Sequence, residues 1–133
     1  MLKPKTARQL KEAGLVWRPK PGDAFVPGEE FGEEVFVTDG GRDPEPGDVW
    51  LPDVETVVRE INARGWYLMV MVYPKECHVR VYDAAHNSAE MSGPAQDFAD
   101  LVGRALLFVL NMERGERSEN SRTACKRAGT LAK

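Results

Sequence analysis

The chain has 133 residues and a formal net charge of −3, with 42% hydrophobic and 29% charged residues. These are ordinary values for one globular domain that buries its own core. They exclude an overall charge that would attract nucleic acid or an anionic membrane. No window reaches the roughly 18 apolar residues of a transmembrane helix, and the two cysteines fit no metal or redox spacing.

The first segment, Met1 to Gly14, is polar and charged and lacks the apolar centre of a secretion signal. Cys77 falls on a predicted core face and Cys125 in a polar tail, so both are expected to be reduced thiols. Together these features predict a cytoplasmic protein that does not associate with membranes.

A short helix is predicted from Thr6 to Gly14, with Thr6 as its N-cap and Gln9 completing a capping box. Gly14 is expected to end the helix, and Leu15 to fold back on Leu10. A helix of this length does not persist alone in water. Its apolar residues must therefore dock on the rest of the chain.

Two near copies follow in the N-terminal half: Pro19–Pro27 reads PKPGDAFVP, and Pro44–Pro52 reads PEPGDVWLP. Each copy predicts a Pro-Gly turn that leads into a short strand ended by proline. The repetition is either a duplicated binding loop or the same turn chemistry arising twice. With a strand at Glu34–Thr38 and a turn at Asp39–Gly41, these segments predict a small sheet or flap beside the hairpin that follows.

The clearest helix is predicted over residues 53–64, with Asp53 as its N-cap and Gly65 just past its end. Its apolar residues repeat with helical spacing, which indicates one buried stripe. The members of this stripe are Val54, Val57, Val58 and Ile61.

An antiparallel hairpin is predicted over residues 66–83, because an apolar run is broken by Pro74-Lys75-Glu76 and then resumes with strict alternation. A loop with an even number of residues is favoured, since a one-residue slip would move one strand's apolar side chains to the wrong face. The core face then carries Trp66, Leu68, Val70, Val72, Cys77, Val79 and Val81. The other face is the candidate ligand or partner face and carries Tyr67, Met69, Met71, Tyr73, His78, Arg80 and Tyr82.

After a polar loop or short irregular edge at 84–93, a second long helix is predicted over residues 94–113, opened by Pro94 and followed by Gly115. Gly103 is expected to permit a close approach to this helix. Apolar residues surround most of the helix, so either the N-terminal segments or another subunit must cover its second side. The candidate oligomer interface is Leu106, Leu107, Phe108 and Leu110.

Residues 116–133 have no apolar periodicity and are predicted to be a flexible basic tail beyond a single domain of residues 1–115. The elements together predict an α+β fold. Its antiparallel sheet is centred on the 66–83 hairpin and packed by helices 53–64 and 94–113. A short N-terminal helix and small β segments complete it.

Several blocks of the chain occur in one order: Ala13-Gly14-Leu15, Trp17, Pro19, Gly22-Asp23, Phe25, Pro27, Glu34–Val37, Trp50–Pro52 and Gly103–Leu107. Their content and order resemble an uncharacterised family of small bacterial and phage-encoded proteins. The stretch between Thr38 and Trp50 is shorter and more acidic than that family's pattern. The resemblance implies a fold and no reaction.

His78, Asp83 and His86 have residue types suited to metal binding or acid–base chemistry, but a zinc site needs at least three converging ligands. We therefore expect an exposed strand histidine and a loop histidine, with no metal, cofactor or catalytic residue. The tyrosines beside Arg80 are similar to platforms that stack single-stranded nucleic acid. The acidic body argues against that partner, because phosphate contacts supply most of such affinity.

The leading hypothesis is a non-enzymatic binding or adaptor domain, a phage or prophage accessory protein, that contacts a protein partner and forms a homodimer. The alternative is a small-ligand or nucleotide-binding protein that uses the face with Tyr67, Arg80 and Tyr82. A third hypothesis is a hydrolase that uses His78. The sequence leaves open whether the N-terminal segments cover the candidate face.

Overall fold

A computed structural model describes residues 1–28, 34–38 and 43–122, with side chains as far as residue 115. The fold is α+β, as the sequence predicts. The described elements are α1 (Pro4–Glu12), β1 (Ala24–Val26), β2 (Phe36–Val37), β3 (Val49–Leu51), α2 (Val54–Ala63), β4 (Tyr67–Val72), β5 (Glu76–Tyr82), β6 (Ser88–Pro94), a 3-10 turn (Ala95–Asp97) and α3 (Phe98–Arg122). The predicted turn at Asp39–Gly41 lies outside the described residues.

Two antiparallel three-stranded sheets organise the chain. The main sheet has the order β4-β5-β6, and α2 and α3 pack on one of its faces. The N-terminal sheet has the order β2-β1-β3 and packs on α1, which in turn packs on α3. The small sheet therefore does not lie beside the hairpin as predicted, because α1 takes up its buried face.

The hairpin has the predicted register, with Val70 opposite Val79 and Val72 opposite Cys77. The amide of Tyr73 donates to the carbonyl of Glu76 at 2.8 Å, so the turn itself is the even pair Pro74-Lys75. On the core face Val79 is 1% exposed, which confirms the predicted faces of β5.

Residues 84–93, predicted as a polar loop or a short irregular edge, mostly form the regular edge strand β6, which pairs with β5 along its length. The inward side chains of β6 are small or flexible, and they lack the β-branched and aromatic character typical of strands. The inward positions are Ala89, Met91 and Gly93, the last of which has no side chain.

The helix predicted over residues 94–113 is displaced in the structure, where α3 spans Phe98–Arg122. Pro94 ends β6 instead of opening the helix. Gly115 does not adopt the positive φ that commonly ends a helix, so residues 116–122 continue it. Residues 123–133 of the predicted tail lie outside the described part. None of the helices described is both long and apolar enough to cross a bilayer.

The N-terminal helix begins at Pro4, so the predicted capping box at Thr6 is wrong. Proline suits the first helical turn because its missing N–H would have no helical partner there, and Thr6 is buried instead. The end of α1 is as predicted. Gly14 has a φ of 105°, and the Leu15 amide donates to the Leu10 carbonyl at 3.0 Å.

The sequence predicts a close approach at Gly103 of α3, and the structure shows that α1 makes this approach. A Cβ atom on Gly103 would lie 2.9 Å from Cδ2 of Leu2 and 3.3 Å from Cγ2 of Thr6. The missing side chain thus lets α1 dock closely, while α2 and the main sheet also contact α3. Helix α3 is therefore covered from several directions within the chain.

The N-cap of α2 generates a prediction. The Thr56 amide donates to Oδ1 of Asp53 at 2.8 Å. Hydrogen bonds from the side chain and amide of Thr56 hold the pKa of Asp53 below its ordinary value of 3.8. We expect Asp53→Ala to lower the free energy of unfolding by about 1 kcal/mol near neutral pH, measured by urea denaturation.

The pH dependence follows from the lowered pKa of the folded state. The carboxylate's stabilisation is complete above about pH 4 and is lost as the pH falls through the lowered pKa. Asp53→Asn is the control, because its amide oxygen accepts the cap bond without titrating. The difference in stability between the original chain and Asp53→Asn should shrink at acid pH; a constant difference would contradict the assignment.

Candidate functional site on the outer face of the main sheet

The structure brings the predicted ligand or partner face together on the side of the main sheet that faces away from α2 and α3. The register places Tyr67 opposite Tyr82, Met69 opposite Arg80 and Met71 opposite His78. Tyr67 is 54% exposed and Met71 48% exposed. No N-terminal segment in the described ranges covers this surface, which we call the outer face.

Side-chain contacts order the outer face. The rings of Tyr67 and Tyr82 stack with centroids 5.4 Å apart, and the Arg80 guanidinium lies 5.6 Å from the Tyr82 ring centroid. At the turn end, Tyr73 meets His78 edge-on at 5.6 Å. These contacts hold broad aromatic surfaces on a rigid sheet, which is suited to binding another surface.

The basic side chains of the outer face already have carboxylate neighbours. Nε of Arg80 lies 3.9 Å from Glu90 on β6, and Nε2 of His78 lies 3.3 Å from Glu76. Both pairs are exposed and contribute little to stability. They place carboxylates beside both basic side chains, so the outer face carries no basic stripe.

A depression of about 470 Å³ lies across the outer face. Its side chains come from all three strands, so β6 adds residues that the sequence prediction did not include. The added residues are Glu90 and Ser92. Sequence reasoning missed them because it treated this segment as a polar loop or irregular edge. The signal that could have found them is the alternation of Ser88, Glu90 and Ser92 with less polar residues.

The histidine group of the sequence prediction does not converge. Asp83 instead organises the β5–β6 turn, where its carboxylate accepts hydrogen bonds from the amides of Ala85 and Asn87 at 3.0 and 2.9 Å. His86 sits in that turn with a φ of 68°, at the opposite end of β5 from His78. Within the described residues, no group of His, Cys, Asp and Glu side chains is arranged to hold a metal ion.

The candidate oligomer interface on α3 is largely internal. Leu106 is 0% and Leu110 5% exposed, and both belong to the core between α1, α2 and the main sheet. Leu107 and Phe108 are half-buried and pack against the same core, Phe108 edge-on to Trp66. The prediction of a dimer surface through Leu106 and Leu110 is therefore wrong, because the intramolecular helices α1 and α2 cover them.

The two near copies in the N-terminal half pair with one another. Strand β1 pairs antiparallel with β3, and Phe25 faces Trp50, its counterpart in the other copy. Each aspartate closes its own turn: the Lys20 amide donates to Asp23 at 3.1 Å, and the Glu45 amide donates to Asp48 at 2.8 Å. Shared turn chemistry thus has a structural use, since it builds a locally symmetric pair of strands.

A cleft of about 360 Å³, which the sequence did not indicate, opens between α1 and the two turns. The indoles of Trp17 and Trp50 stack there with centroids 6.3 Å apart, and Nε1 of Trp17 donates to Asp23 at 3.0 Å. Nζ of Lys11 donates to the carbonyl of Gly47 at 3.0 Å, which ties α1 to the second turn. The prolines on its walls are Pro19, Pro44 and Pro46.

The contact between Gly28, just after β1, and Gly47 in the second turn generates a prediction. A Cβ atom on Gly28 would lie 1.9 Å from the carbonyl oxygen of Gly47, so the backbone would have to move. We expect Gly28→Ala to lower the free energy of unfolding by roughly 2 kcal/mol, measured by urea denaturation. Gly47→Ala is the matched control, because its Cβ would meet nothing within 4 Å. Equal free energies of unfolding for the two variants would show that Gly28 does not contact Gly47 as described.

Comparisons with models of protein families, with curated proteins and with solved structures found no match. The resemblance to a family of small bacterial and phage-encoded proteins therefore stays a prediction.

Proposed function

We propose that this chain is a non-enzymatic binding domain that contacts a protein partner through the outer face of its main sheet. The observation that carries the proposal is the exposure of large apolar side chains in one continuous strip. Tyr67, Met69, Met71 and Tyr73 are each between 43% and 54% exposed. Contiguous exposed apolar surface of this kind marks contact sites on folded proteins.

The chemistry of the outer face favours a protein over a nucleic acid. Tyrosine, methionine and arginine are the residue types enriched where proteins meet, and Met69 and Met71 offer an adaptable apolar surface. Nucleic acid would require free cations for its phosphates. Arg80 and His78 already lie beside Glu90 and Glu76.

A small ligand is the second candidate, favoured by the depression of about 470 Å³ on the same face. This volume falls in the range of small-molecule sites, but such sites are usually concave and enclosing. The depression is lined by a single sheet, and Glu90, 3.9 Å from Arg80, would repel a phosphate bound at that arginine. Calorimetry with selected peptides and with free nucleotides distinguishes the two candidates.

A hydrolase centred on His78 has less support. Ser92 lies opposite His78 in the register, but no hydrogen bond joins the two among the described residues. A nucleophile needs a base within hydrogen-bond reach. The imidazole instead contacts Glu76 and the ring of Tyr73.

The test is a selection of binders from a display library of random peptides, followed by calorimetry with the full chain. Arg80→Ala and Tyr82→Ala should each weaken the selected peptides by at least about tenfold, as truncation of an interface anchor does. Arg59→Ala is the control, since Arg59 is an exposed arginine on α2 whose ion pair with Glu55 contributes little.

Selected peptides that bind both outer-face variants as tightly as the original chain would contradict the proposal. So would a selection that yields no binder. Binding of free nucleotides with the same dependence on Arg80 would favour the second candidate instead.

A further inference from the structure

Strand β4 lies at the edge of the main sheet and has hydrogen-bonding groups that point away from the sheet. The ladder is antiparallel, and the Tyr73 amide donates to Glu76 on β5. Hydrogen-bonded and non-bonded pairs alternate along such a ladder. The amides and carbonyls of Met69 and Met71 therefore point towards β5, and those of Leu68, Val70 and Val72 point outwards.

The outward groups of β4 have no partner among the described residues: no hydrogen bond from another described segment reaches Leu68, Val70 or Val72. The strand also carries none of the charges or prolines that usually protect an edge from pairing. Val72 is 67% exposed although its side chain belongs to the core face. This edge is thus open to an added strand.

The sequence of β4 and its next residue is self-complementary. Read from either end, residues 67–73 give tyrosine, an aliphatic residue, methionine and then the central valine. If the strand pairs antiparallel with itself about Val70, every side chain faces its own type. The pairs are Tyr67 with Tyr73, Leu68 with Val72, Met69 with Met71 and Val70 with Val70.

The hydrogen-bonding phase agrees with this pairing. Leu68, Val70 and Val72 carry the outward groups, and the same register sets each of them opposite another residue of that set. Their amides and carbonyls can therefore bond across the axis in closely spaced pairs. Met69 and Met71 then form a non-bonded pair, in which side chains lie closest.

We propose that a second copy of this chain pairs with the β4 edge in antiparallel register about Val70, joining the two main sheets into one. The twofold axis makes the contact isologous, as in most soluble dimers. It also places two outer faces side by side. The inference goes beyond the proposed function and does not depend on it, since an edge can pair whether or not the outer face binds another protein.

The test uses charge at the methionine pair. Met69→Lys/Met71→Lys puts lysine opposite lysine, and Met69→Glu/Met71→Glu puts glutamate opposite glutamate. Light scattering of the original chain should give a mass near twice 14.8 kDa that falls on dilution. Each double variant alone should give a monomer, and an equal mixture of the two should regain the dimer.

The matched control adds the same charge at the other edge of the same face. Ser88 and Ser92 are exposed on β6, so Ser88→Lys/Ser92→Lys should leave the dimer intact. Loss of the dimer in this control would indicate face-to-face stacking and overturn the edge pairing. A monomeric original chain at every concentration, or a dimer unaffected by the methionine variants, would overturn it as well.

Amide hydrogen exchange followed by nuclear magnetic resonance gives an independent readout. The amides of Leu68, Val70 and Val72 should exchange slowly in the dimer and accelerate on dilution, whereas those of Met69 and Met71 should stay protected. The proposal would be contradicted if the exchange rates of the Leu68, Val70 and Val72 amides did not change with protein concentration. Because this measurement reads backbone pairing, it separates a failure here from a failure of the peptide-binding test.

Discussion

One backbone register governs the main sheet and the surfaces built on it. The bond from the Tyr73 amide to the Glu76 carbonyl, at 2.8 Å, closes the β4–β5 turn, and every later pair follows from it. A shift of one residue would place Arg80 in the core and Val79 in solvent. Val79 is 1% exposed in the cluster shared with α3, so the hydrophobic pattern and the turn specify the same pairing.

The helices decide which face of that sheet is covered. Helix α3 packs on the core face, and α1 docks on α3 at Gly103, where the missing side chain makes room for Leu2 and Thr6. The N-terminal sheet rests on α1 and is therefore held away from the outer face.

The elements with strong local signals could be predicted, and those that depend on distant partners could not. Alternation along β5 and the Asp53 cap of α2 identify these elements without help from the rest of the chain. Strand β6 has weak propensity and is ordered by pairing with β5. The burial of Leu106 depends on the docking of α1 and α2, and the cleft at Trp17 depends on which turns meet; no local pattern encodes either contact.

At the β4 edge of the main sheet, the distribution of charge reverses the usual arrangement. Edge strands normally carry the protecting charges, yet here the central strand β5 carries His78 and Arg80 on its outer face, while β4 carries only tyrosine and methionine there. Inward residues such as Val79 already fix the register, so folding does not require an apolar outer side on β4. In an isolated chain, both the apolar outer side chains and the outward backbone groups of β4 would be exposed to solvent. The proposed contact with a second copy at this edge would remove both from solvent.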